Sequence, residues 1–79
     1  MPRFTVIVSY PNLRKRKIDG VIDYINEELQ SFNNRTDATN YCHKQLVKGK
    51  HDDYFYVIDN EFVNEDESKE PKTIFYLKV

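Results

Sequence analysis

The chain has little of what small proteins use to fasten or bend themselves. Its 79 residues include one cysteine, two glycines, three prolines and no tryptophan. Cys42 alone closes no internal disulfide, which excludes a disulfide-stapled fold and fits a reducing compartment. Gly20 and Gly49 stand far apart, so there is no glycine-rich loop to cradle a phosphate. No apolar run approaches the ~18 residues of a membrane span. The run within MPRFTVIVSY is too short for a secretory signal and lacks a small-residue cleavage site. These absences predict a cytoplasmic protein of one domain, residues 1–79, with room for one modest core.

Catalytic groupings are scarce too. Cys42 and His43 are adjacent, so on a helix they diverge by about 100° and cannot share an ion. His51-Asp52-Asp53 has ligand types without a partner at helical spacing. Asp59-x-Glu61 lacks the lysine of a magnesium-dependent nuclease. No serine sits in a nucleophile elbow. The expectation is a non-enzymatic protein without metal or cofactor.

Aromatic residues and charge are what the chain does have. Six tyrosines and five phenylalanines carry much of the available burial. The net charge of −1 conceals a split, with residues 1–50 at +4 and residues 51–79 at −5. An asymmetry of this kind bears on partners more than on fold.

Hydrophobic spacing predicts the elements. Phe4 to Tyr10 alternates at period two, with Phe4, Val6, Val8 and Tyr10 on one face, and reads as a strand that Pro11 and Asn12 end. Ile18, Val21, Ile22, Ile25 and Leu29 fall on one stripe of a 3.6-residue helix, which predicts a main helix over Ile18–Phe32. Its charges oppose the dipole, with Arg14–Lys17 near the start and Glu27 and Glu28 near the end. A second helix is expected from a Thr36 cap to Gly49, with Ala38, Tyr41, Cys42, Gln45 and Leu46 on its inner face. Tyr54–Asp59 and Thr73–Val79 read as strands apolar on both sides, joined by the charged stretch 64–72.

The order is then β-α-α-β-β. It predicts an α+β fold, a three-stranded and mainly antiparallel sheet with two helices packed on one face. That order is similar to the start of RelE/ParE-type toxins, whose strands meet RNA or a gyrase through basic and polar residues. Here only Lys78 is basic on the last two strands.

With helices on one side, the second sheet face is expected to display several of Ile7, Tyr54, Tyr56, Ile58, Ile74 and Tyr76. An uncovered aromatic sheet face on a small protein marks an interaction surface. The predicted partner-binding residues are Tyr54, Tyr56 and Tyr76, together with the acids Asp52, Asp53, Asp59, Glu61, Glu65, Asp66 and Glu67. Tyrosine is enriched at protein interfaces, and an acidic stretch can dock on a basic groove by imitating nucleic-acid charge. The expected function is therefore a protein-binding module. By analogy of size and composition it is an accessory inhibitor from a phage or mobile element, anti-CRISPR-like, directed at a host nucleic-acid enzyme or defence complex. The alternative is a nucleic-acid-binding regulator using Arg14, Lys15, Arg16 and Lys17. A third reading is a homodimer whose sheet faces cover each other.

Overall fold

The computed structural model describes residues 2–12, 23–50 and 52–79. It contains β1 (Phe4–Pro11), β2 (Tyr24–Phe32), α1 (Arg35–Leu46), β3 (Tyr54–Asp59) and β4 (Lys72–Lys78). The four strands form one antiparallel sheet in the order β2-β1-β3-β4. This overturns the expected architecture: among the described residues there are four strands and one helix. The likeness to the toxin order falls with it.

The predicted main helix over Ile18–Phe32 is not formed in its described part. Residues 18–22 lie outside the described residues, and Tyr24–Phe32 is a strand paired with β1. The periodicity misled for a specific reason. Gln30 faces Val6 and Glu28 faces Ile7, so Leu29 is an extra residue in a β-bulge. A bulge breaks the alternation by one position. Ile25, Leu29 and Phe32 therefore share one side of a strand at the helix-like offsets 0, 4 and 7. Leu29 and Phe32 pack against the core, and Ile25 sits opposite Tyr10. The mismatch of Glu27 and Glu28 with a helix dipole also disappears, because an antiparallel sheet has only a small net dipole.

α1 follows local chemistry closely. Asn34, in extended conformation, caps it by accepting the Asp37 N–H at 2.8 Å, two residues ahead of the expected Thr36 cap. Asp37 in the first turn and Lys44 in the last suit the dipole. The helix lays Ala38 and Cys42, both fully buried, onto Phe4, Val6, Val8, Phe55 and Val57. Val6 and Val57 face each other across β1 and β3 with no exposed surface. Each buried valine of this kind contributes roughly 1.5–3 kcal/mol. Gly49 N–H then bonds the Leu46 carbonyl at 3.2 Å. A Cβ at Gly49 would lie 2.5 Å from Val79 Cγ2 and 2.8 Å from Phe55 Cε2, so any larger residue there forces those side chains to shift.

β4 is bulged as well. Phe75 faces Val57 and Thr73 faces Ile58, leaving Ile74 as the extra residue, turned into the core. The ends of β1 and β3 are tied by Arg3, whose guanidinium donates to both carboxylate oxygens of Asp59 at 2.8 and 2.9 Å. Among the described residues no helix is long and apolar enough to cross a membrane.

Candidate binding face

Residues directly opposite one another in an antiparallel sheet share a face. Phe4, Val6 and Val8 are buried under α1, so Thr5, Ile7 and Ser9 point to the other side. Register carries that side across the sheet in rows. Glu28, Ile7, Tyr56 and Tyr76 form one row, and Asn26, Ser9, Tyr54 and Lys78 form the next. A third row, Ser31, Thr5, Ile58 and Thr73, is closed off at Thr5, whose hydroxyl bonds Ser31 at 3.2 Å and accepts from Asn60 at 2.9 Å.

No described element packs on this face. Tyr76 is 68% exposed and Tyr24 42%, whereas Tyr54, Tyr56, Ile7 and Ile58 are half-buried by their neighbours in the sheet. The rings hold one another in place. Tyr24 meets Tyr54 edge-to-face with centroids 6.1 Å apart, and Lys78 Nζ lies 5.4 Å from the Tyr54 ring centre. The Tyr56 hydroxyl donates to Asn26 Oδ1 at 3.4 Å. The result is a braced aromatic platform with a carboxylate, Glu28, on one outer strand and an ammonium, Lys78, on the other.

Tyr54, Tyr56 and Tyr76 thus come together as the sequence predicts. Ile74 does not join them, because its bulge turns it inward. Tyr24, Asn26 and Glu28 belong to the platform and were missed because 24–32 reads as helix. A strand reading with one inserted residue at Leu29 finds them.

The acids do not form one patch. β3 separates Asp52 and Asp53 from the acidic hairpin by about 20 Å of extended chain. Asp53 caps a turn by accepting the Lys50 N–H at 2.8 Å, and Asp52 adopts φ 72° beside it. Asp59 is 4% exposed and is engaged by Arg3 and by the Glu61 N–H at 3.0 Å. Those hydrogen bonds, the Arg3 pair foremost, hold its carboxyl below the usual range against the opposing effect of burial. Glu61, Glu65, Asp66 and Glu67 are exposed on the hairpin between β3 and β4.

That hairpin is held by its own hydrogen bonds. Val63 bridges Lys69, and the Asn64 amide donates to Ser68 and to Glu70 Oε1. Asp66 accepts the Ser68 hydroxyl at 2.6 Å, which lowers its pKa. Arg14, Lys15, Arg16 and Lys17 lie outside the described residues.

On the helix side, among the described residues, the twelve-residue α1 does not reach over the whole β2 end of the inner face. A cleft there has Val8, Ile25, Leu29 and Phe55 in its floor and Lys48, Lys50, Asp52 and Asp53 at its rim. Burial pushes the Cys42 thiol up to about 11, where it is a poor nucleophile. Among the described residues no three of His, Cys, Asp and Glu are grouped to hold a metal ion.

The chain matches no known protein family, and comparison with curated proteins and with solved structures likewise gives no match.

Proposed function

We propose that this is a cytoplasmic, non-enzymatic protein-binding module whose contact surface is the tyrosine face of the sheet. The observation that carries the reading is the platform of Tyr24, Tyr54, Tyr56 and Tyr76 around Ile7, on which no described element packs, opposite the face α1 covers. Tyrosine offers a large rigid ring at low conformational cost, with a hydroxyl that tolerates both water and a partner. Stacking of single-stranded bases on such rings requires cations beside them, and here Lys78 is offset by Glu28.

The more specific role, an inhibitor of a host nucleic-acid enzyme or defence complex, draws its support from the acidic hairpin between β3 and β4. Its exposed Glu61, Glu65, Asp66 and Glu67 suit a basic groove.

Capture from the source cell or its host, with wild type, Tyr56→Asp and a Glu65→Gln/Asp66→Asn/Glu67→Gln variant run side by side, tests both statements. A partner lost with Tyr56→Asp supports the face, and one lost with the neutralised hairpin supports the acidic contact. A partner that both variants retain would remove the proposal. Salt-sensitive retention of the protein on a phosphate resin would replace it with nucleic-acid binding.

A further inference from the structure

We infer, resting on the protein-binding reading above, that the occupant of the tyrosine face is a second copy of the chain. The two sheets would stack face to face about a two-fold axis that runs along the strands between β1 and β3.

Side-chain size differs between the two inner strands. β1 presents Ile7 and the small Ser9 to this face, while β3 presents the large Tyr56 and Tyr54. A two-fold axis between these strands lays β1 of one copy over β3 of the other. Ser9 then faces Tyr54 of the second copy, and Ile7 faces Tyr56. Ser9 leaves room for the Tyr54 ring in both directions, and Ile7 offers an apolar surface to the Tyr56 ring, so the two faces can interdigitate.

Charge points the same way. Glu28 stands on β2 and Lys78 on β4, three strand spacings apart, or about 14 Å. They cannot pair within one chain. The same axis carries β2 of one copy over β4 of the other. Glu28 is then offset from Lys78 of the second copy by a single row, about 7 Å along the strand, before sheet twist. A lysine side chain covers that offset. Two-fold symmetry makes the contact twice, as an isologous interface requires.

The area sets the strength. Four strands and two open rows, about 19 × 14 Å of sheet, make a contact smaller than standard specific interfaces. The association should therefore be weak and visible only at high concentration.

Light scattering on the full chain, from about 10 μM to about 1 mM, tests this. The expected mass rises from one chain to two. Glu28→Lys alone and Lys78→Glu alone should each weaken the dimer about tenfold, since two pairs are lost per dimer. The two together should restore it, because reversed charges still meet across the axis. Both positions are exposed, so the variants fold. A mass of one chain throughout, or a dimer that the double exchange fails to restore, overturns the inference. A monomeric wild type whose Tyr56→Asp variant still loses a captured partner would refute the second copy and leave the binding reading intact. Monomer together with unaffected capture would end both.

Discussion

Replacing Asp59 with asparagine isolates the contact that ties the start of β1 to the end of β3. The native carboxylate accepts two Arg3 N–H groups and the Glu61 N–H, and its side chain is 5% exposed. Asparagine keeps the shape but removes the charge and turns one oxygen into a donor facing a guanidinium. Breaking a buried ion pair from one side costs about 3–5 kcal/mol. Arg3 is 46% exposed and regains water when released, so the cost here falls to about 2 kcal/mol.

A 79-residue chain has a total stability of about 4–12 kcal/mol, so this loss is a large share of it. Urea denaturation followed by circular dichroism should show the midpoint lowered by about 1–2 M with an unchanged slope. The pH dependence carries the sign. A folded carboxyl held below its unfolded value near 3.9 contributes stability above that value and loses it as pH falls through the lower folded one. Wild type should therefore weaken below about pH 4 more steeply than Asp59→Asn. A midpoint shift worth less than about 0.5 kcal/mol would refute the reasoning, as would identical acid limbs.

Three further outcomes follow from the packing around α1. Gly49→Ala must place a methyl 2.5 Å from Val79 Cγ2 and 2.8 Å from Phe55 Cε2, and should destabilise by about 1–3 kcal/mol in the same denaturation assay. Cys42, buried and with its thiol raised to about 11, should resist thiol reagents at pH 8 in the folded protein and react quickly in urea. Because the unfolded thiol ionises first, stability should fall as pH rises above about 8.5, and Cys42→Ala should flatten that fall.

Local rules made most elements legible. Alternation gave β1 and β3 to within a residue. The dipole-matched charges and the inner face of Ala38 and Cys42 gave α1, with its start two residues late because Asn34 rather than Thr36 is the cap. The inserted residue at Leu29 was not legible, since a strand with one bulge and a helix place apolar residues at the same offsets. That single ambiguity changed the strand count and hid Tyr24 and Glu28. The Arg3–Asp59 pair was out of reach for a different reason. It joins residues 56 apart, and only the pairing of β1 with β3 brings them together. The platform tyrosines of β3 and β4 were legible because both strands are apolar on two sides while one helix can cover only one.

The two bulges fall on the two outer strands, at Leu29 in β2 and Ile74 in β4, while the inner strands run in even register with each other. An outer strand with even register is a template for further strands, and a chain that grew by adding them would have no natural end. Here each border is kinked by its extra residue, and charged side chains stand along it, Glu27 and Glu28 on one side and Lys72 and Lys78 on the other. Growth within the plane of the sheet is blocked at both ends. Perpendicular to the sheet, no described element packs on the tyrosine face, and a second copy stacked there about a two-fold axis, as inferred above, would close the assembly at two chains.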